Sequence, residues 1–561
     1  MDNIRFVLII VFAMLSMMLW QAWQIDYGPK PAVAVTDQPV VETKADLPVE
    51  GSAPVQTAAN TTPIVEKSQG SIVTVTTDVI SLGIDTLGGT LVNYDLLAYP
   101  VEKKNTAVNT VRRLFGMSDS EQNLSPIRLF DTHQEHLFLA QSGLIPDADS
   151  AAATNHHTIF NSEKTEYRLA PDQETLVLPL TWTNNEGLTV TKIFTFKRGS
   201  YTIDVEQKVS NSSAKIWNGR QYAQFLRVPY ADPAANSFIR TYTGGVVYTE
   251  EEKYKKYDYS AMADEDLSLT TRGGWTAMIQ HYFGAAWIPP VDQENHLYSK
   301  SLGDNKYVIG SYSPVVSVPP GAEQQFKATL FAGPKIQTLQ EKIAKGLELT
   351  VDYGRITFIA KPIYSLLNFI HDYVGNWGFS ILGVTFVIKL LFFPLSAASY
   401  KSMAKMRKIQ PRLKEMQERY ADNRQLFNQK MMAMYKEEKV NPLGGCLPVL
   451  VQIPVFISLY WVLVETVELR QAPFALWIQD LSAQDPYFLL PILMGITMKI
   501  QQSLNPPPID PIQAKIMRMF PIVFTFFFLF FPAGLVLYWV MNNTLSIIQQ
   551  WYITNKIVKE H

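Results

Sequence analysis

The rhythm of apolar and polar positions changes near residue 350. Upstream, from 71 to 350, apolar residues come in short runs, often every second position; downstream, from 355 to 555, they come in long blocks. Ile72-Val73-Thr74-Val75-Thr76 opens the first pattern. Leu188 to Phe196 alternates, Arg198-Gly199 supplies a turn and Tyr201 to Val209 alternates again, which predicts a hairpin. Gln324 to Phe331 closes the series. Many short strands with few helical patterns predict an all-β antiparallel sandwich over 71–350. Ile336, Leu339, Ile343 and Leu347 mark one amphipathic helix near its end.

The downstream blocks predict an α-helical membrane bundle. From Tyr353 to Tyr373, Ile356, Ile359, Ile363, Leu366, Leu367 and Ile370 share a face, while Arg355, Lys361, Asn368 and Asp372 lie largely elsewhere. Residues 351–375 therefore read as an interfacial helix. Asn376 to Ser396 is a span of about 20 residues, enough to cross about 30 Å of hydrocarbon. Lys389 interrupts it about two turns from its end. A cation there costs about 2.5–3.5 kcal/mol on insertion scales, so it is expected to face protein or water. Further spans are predicted over 443–467, which carries Gln452, over 487–502, over 517–531, and over 535–555, which carries Asn542. The spans 487–502 and 517–531 have only about 15–16 residues, short of the expected 17–25, which favours local bilayer thinning. Ile4 to Trp23 makes a sixth span. We read 1–23 as an uncleaved anchor, because Ala32-Val33-Ala34 lies far past the apolar run beside Pro29 and Pro31. Residues 24–70, rich in Pro, Ala, Val and Thr, read as a flexible linker.

Charge orients this plan. Ala397 to Asn441 holds eleven Lys/Arg against five acids, so by the positive-inside rule it is cytoplasmic. Both termini, including the short tail 556–561, then lie inside and the β domain outside, in the periplasm of a bacterium. Within 397–441, apolar residues recur at near-heptad spacing on both sides of Ala421-Asp422-Asn423, which predicts a helical hairpin. Met403, Met406, Arg407, Met431 and Met434 are its candidate contact for emerging polypeptide or ribosome. The plainer reading is a solvated basic loop that only sets topology.

Composition excludes other chemistry. The formal net charge of −2 over 561 residues points to no nucleic-acid partner. Cys446 is the only cysteine, so there is no intrachain disulfide and no four-cysteine metal site. Leu443-Gly444-Gly445-Cys446 has the look of a lipoprotein cleavage box, but it sits deep inside the chain. His133, His136, His156 and His157 lack the one-face spacing of a zinc helix and read as surface-loop histidines rather than a metal site. No phosphate loop or nucleophile elbow appears, so we expect neither an enzyme nor a cofactor.

Several strings carry a resemblance. Asn441-Pro-Leu-Gly-Gly-Cys-Leu-Pro448, Glu468-Leu-Arg-Gln-Ala-Pro-Phe-Ala-Leu-Trp477, Asp480-Leu-Ser-Ala-Gln-Asp-Pro-Tyr487, Pro491-Ile-Leu-Met-Gly495 and Phe531-Pro-Ala-Gly-Leu-Val-Leu-Tyr538 resemble the YidC insertase family in its long Gram-negative form. Gly273-Gly-Trp-Thr-Ala-Met-Ile-Gln280 and Ala286-Trp-Ile-Pro289 resemble its periplasmic domain. The resemblance covers nearly the whole chain and is densest from 352 to 553. It implies a periplasmic β-supersandwich and a five-helix core within 376–555. It implies a positively charged hydrophilic groove, open to cytoplasm and lipid, that inserts nascent inner-membrane proteins alone or with the Sec translocon. The implied partners are nascent clients, ribosome–nascent chain complexes and the bilayer, with no small-molecule substrate.

The family's groove cation, usually Arg, falls on Lys389, its groove threonine on Thr385 and its client-contacting tyrosine on Trp539, with Tyr538 beside it. Gln452 and Asn542 complete the groove candidates. Lys for Arg keeps a charge but loses the bidentate fork. Trp for Tyr swaps a hydroxyl for an indole donor. A transporter of small solutes is the rival reading; it predicts paired half-chain repeats, and none is visible. A membrane-anchored periplasmic sugar enzyme is a third, without an acid/base constellation to support it.

Overall fold

The computed structural model describes residues 46–48, 70–103, 123–230, 241–420, 423–438, 447–505 and 511–557. The predicted anchor, nearly all of the predicted linker, Cys446 and residues 558–561 of the tail lie outside these residues. The chain divides into two compact units. One holds 44–355 together with Val464–Gln471; the other holds the remainder.

The first unit is the predicted sandwich, built from an eleven-stranded and a nine-stranded sheet. The hairpin forms as expected: Leu188–Lys197 pairs antiparallel with Thr202–Asn211, in a register that sets Phe196 opposite Ile203 and Leu188 opposite Asn211. Burial alternates along both strands, so one face supplies core and the other meets solvent. Gly199 sits in the turn at φ +66°, where its N–H donates to the Asp78 carboxylate. Val73, Tyr94 and Phe225 from the larger sheet share one core with Phe194, Ile203 and Trp287 from the smaller. Hydrogen bonds tie the layers, among them Tyr94 donating its hydroxyl to the Ala332 carbonyl (2.7 Å) and the Trp287 indole donating to the Gln224 carbonyl (3.1 Å).

This core contains a fully buried cation. Lys192 Nζ donates to the carbonyls of Gly88 (2.8 Å), Gly89 (3.3 Å) and Ser142 (2.9 Å). Burial lowers its pKa to about 7. The unfolded chain, with Lys192 near its ordinary value, therefore holds a proton that the folded chain releases across the range from about 7 to 10.5. Stability of this unit is expected to rise with pH across that window, by at most about 1.4 kcal/mol per pH unit, and Lys192→Met should flatten the slope. Denaturant titrations at pH 7, 8.5 and 10 check it; an unchanged slope in the variant refutes it.

Val464–Gln471 completes the same unit. Val467 joins the β core, and Arg470 donates to the carbonyls of Pro100 (2.9 Å) and Val101 (3.0 Å). Glu465 forms an ion pair with Lys335 (3.3 Å), both nearly free of solvent, and Lys335 also donates to the Thr350 carbonyl (3.1 Å). Tyr353, read from sequence as part of the interfacial helix, is buried here, where Gln337 donates to its hydroxyl.

The second unit has, among its described residues, eight α-helices: α1 Thr357–Val374, α2 Trp377–Leu391, α3 Phe393–Arg419, α4 Arg424–Glu437, α5 Leu447–Glu465 (whose last two residues belong to the β unit), α6 Leu489–Leu504, α7 Pro511–Phe528 and α8 Ala533–Tyr552. The predicted interfacial helix is α1. It buries Ala360, Ile363, Tyr364 and Leu367 and leaves Phe358, Phe369 and Tyr373 exposed. The predicted span 376–396 is not one helix. It breaks at Phe392, because Pro394 in the first turn of α3 lacks the N–H that would continue α2. The six-span count is likewise not met among the described residues. No single described helix is long and apolar enough to cross a membrane; only α2 and α3 together pass that test, across a bend of 66°.

Exposed apolar residues nevertheless stand in rows along these helices. They include Phe386, Leu390 and Leu391 on α2, Ile492, Leu493 and Ile496 on α6, and Ile522, Val523 and Phe526 on α7. Such rows are costly in water and ordinary against lipid. Helices α6 and α7 approach closely at Gly495, where a Cβ would come within 2.0 Å of Thr525 Oγ1.

Candidate functional site: a buried polar ladder in the helical unit

On α8, Tyr538, Asn542 and Ser546 fall four residues apart and so share one face; all three are buried. On α2, Thr385 and Lys389 share the buried face with Ile381, while the exposed face is apolar. Polarity therefore points inward, the reverse of a helix packed in water. Lys389 Nζ donates to Ser546 Oγ at 2.7 Å, and Ser546 Oγ donates to the Asn542 carbonyl at 2.7 Å. Gln452 on α5 bonds the Asn542 side chain and lies 3.4 Å from the Tyr538 hydroxyl. The chain Lys389–Ser546–Asn542–Gln452–Tyr538 thus links α2, α8 and α5. Along α8 it covers about 12 Å at 1.5 Å per residue.

Two residues extend it that sequence reasoning left out. Ser546 receives Lys389, and Tyr400 on α3 also hydrogen-bonds Ser546. The signal for Ser546 was present in the four-residue spacing from Tyr538 and Asn542. Among the described residues no carboxylate pairs with Lys389, so its positive charge is uncompensated by a neighbour of opposite sign.

The remaining groove candidates are placed differently. Thr385 is buried but spends its hydroxyl on the Ile381 carbonyl (2.6 Å) of its own helix. Trp539 packs its ring against Phe456 (4.9 Å between centroids) and Phe528 (5.7 Å). Its indole N–H is buried and has no hydrogen-bond partner among the described residues. The string Asp480–Tyr487 has a structural task. Asp485 accepts from the Trp477 indole (2.9 Å) and from the Leu490 N–H (2.7 Å), capping α6.

The hairpin α3–α4 uses its methionines mostly on itself. Met406, Met431 and Met434 pack against the small core of Ile409, Leu413 and Tyr435. Arg407 is exposed, Met403 is half-buried, and Met432 is the exposed methionine of the group.

The β unit corrects one expectation. His133 and His136 are exposed, as surface loops require, and His157 is exposed too, but His156 is buried. Its Nε2 lies 2.8 Å from the Asp46 carboxylate and its Nδ1 2.5 Å from the Tyr222 hydroxyl. Asp46 is 110 residues upstream, in a stretch without pattern, so no sequence spacing announces it.

Residues 369–560 match the family described as 60Kd inner membrane protein, and residues 72–366 match the YidC periplasmic domain. A protein of Methylococcus capsulatus named membrane protein insertase YidC is 55% identical, covering 100% of this chain and 99% of its own. A protein of the same name from Nitrosococcus oceani is 45% identical over the full length of both. A crystal structure of an active YidC insertase aligns with a TM-score of 0.36 and 16% identity, over 86% of this chain and 95% of that one.

Proposed function

The chain belongs to the YidC membrane protein insertase family, and from that premise we propose that it inserts inner-membrane proteins along the face lined by the Lys389–Tyr538 ladder. The observation that carries this is the ladder itself: five polar residues joined by hydrogen bonds, one of them through the Asn542 backbone carbonyl, inside helices whose outer faces are apolar. In the proposed topology the anchor and the five predicted core spans cross the inner membrane, both termini are cytoplasmic and the β unit is periplasmic.

The client supplies the driving force. About 20 residues, with apolar ones at about −0.3 to −0.6 kcal/mol each, gain several kcal/mol on entering lipid. The barrier is the passage of polar flanks through hydrocarbon, where each unpaired group costs several kcal/mol. Hydroxyls and amides at successive depths exchange partners with those flanks, and Lys389 attracts acidic ones. The client span then leaves sideways into lipid past α5 and α8. The exposed basic side of the α3–α4 hairpin, with Arg407, Lys408 and Arg412, suits a ribosome–nascent chain complex, and the Sec translocon is the proposed companion for large clients.

Photo-crosslinking to a stalled nascent chain tests the route. Probes at Gln452 and Trp539 are expected to capture the client several-fold more than probes at Ile522 or Val523, on the exposed face of α7. Equal capture at the two sets would show that the client passes elsewhere.

A further inference from the structure

Asp46, His156 and His157 each present one donor atom, and the three atoms lie within 4.8 Å of one another. Asp46 Oδ2 is 2.8 Å from His156 Nε2, and Asp46 Oδ1 is 3.2 Å from His157 Nε2. The two imidazole rings lie side by side, 4.1 Å between centroids. Two neutral nitrogens and one carboxylate are the donor set of zinc-class ions, not of calcium or magnesium, which prefer all-oxygen shells.

The donors are held from behind. His156 is fixed through Nδ1 by Tyr222, whose hydroxyl also accepts the His156 backbone N–H at 3.0 Å. Gln224 Nε2 donates to the Asp46 carbonyl at 3.0 Å and to Gln141 Oε1 at 2.9 Å; its own Oε1 accepts from Tyr298 at 2.5 Å. Such outer partners orient metal ligands and set ring tautomers. Burial, opposed by Asp46, lowers the pKa of His156, which keeps it neutral and able to coordinate. Although burial works against it, the hydrogen bonds from both histidines hold the Asp46 carboxyl well below the usual carboxylate range. Lys192, whose charge bears on His156, is turned into its three carbonyls. His157 is half exposed, which leaves the outward side open to water as a fourth ligand.

We propose that Asp46, His156 and His157 form a binding site for a zinc-class divalent ion in the β unit, which clips the segment around Asp46 onto the sandwich. On binding, the ion takes the place of the single ring proton on His156 Nε2, which passes to solvent, while Nδ1 takes one up from solvent and faces Tyr222; the ring stays neutral and only its tautomer changes. No redox change is involved.

Titrating Zn2+ into the chelator-treated full-length protein tests the site, read by calorimetry and by thermal shift. One saturable equivalent with a Kd of about 1 µM or tighter is expected, with a rise in unfolding temperature. His157→Ala and Asp46→Asn should each weaken it by at least about tenfold. His157 is exposed, so its variant should fold normally. A His133→Ala/His136→Ala variant should bind as the parent does. Absence of saturable binding below about 100 µM, where any ligand-linked stabilisation would be small, overturns the proposal. So does binding that survives both Asp46→Asn and His157→Ala, or that is lost in the His133/His136 variant.

Discussion

Lys389→Glu is expected to slow insertion of a client with an acidic leader by about tenfold or more, and to leave a client with a neutral leader much less affected. The ladder contains one charge, and no carboxylate among the described residues neutralises it. At about 10 Å and an effective dielectric near 40, one unit charge acts on another with about 0.8 kcal/mol; reversing the sign doubles the change to about 1.7 kcal/mol, somewhat more than tenfold in rate. Lys389→Ala should lie between parent and Lys389→Glu. Lys389→Arg should remain close to the parent, since it keeps a positive charge at this position. Reconstituted vesicles with paired acidic and neutral leaders provide the measurement. Equal insertion of the acidic client by Lys389→Glu would refute attraction by this side chain. The neutral client shows whether a variant has lost insertion generally.

Breaking the Lys335–Glu465 pair should produce the largest loss of stability. Both side chains are almost completely buried, so Glu465→Ala strands an ammonium whose other described acceptor is the Thr350 carbonyl. Removing one partner of such a pair costs about 3–5 kcal/mol, whereas replacing both by apolar residues of similar volume is often neutral. Thermal unfolding of the full chain, followed through the β signal, should fall by roughly 6–10 °C for Glu465→Ala and recover in Lys335→Met/Glu465→Leu. Burial lowers the pKa of Lys335, and the charge of Glu465 partly offsets this. Without Glu465 the depression deepens. The stranded lysine then loses its proton as pH rises, and the deficit of Glu465→Ala should shrink toward alkaline pH. A single variant as stable as the parent would mean the pair contributes nothing beyond what water could replace.

Much of this was readable in the chain, for identifiable reasons. The hairpin of Leu188 and Asn211 was legible because one strand face is core and the other solvent, which writes a period of two into the residues. Helices α6 and α8 begin within two residues of the predicted spans, since an apolar block bounded by proline or polar residues marks its own ends. The break at Phe392 was hidden because Phe392 and Phe393 keep the run apolar through the bend; Pro394 was its only sign. Lys389 stood out by its cost, but its partner Ser546 is an ordinary serine whose meaning comes from the opposite helix. Asp46 with His156, and Lys335 with Glu465, join positions more than a hundred residues apart, and local pattern carries no trace of such pairs.

If clients pass along the proposed route, the indole donor of Trp539, which has no partner among the described residues, bears on what kind of guest can linger there. Once uncovered, it could be answered by any peptide carbonyl, so such a contact would be blind to side-chain identity and would suit a handler of many sequences. A finished transmembrane helix has already committed its carbonyls to its own turns and has little to offer. The grip is therefore firmest on chain that is still unwound and slackens as winding completes. Release then needs no signal beyond the guest's own folding.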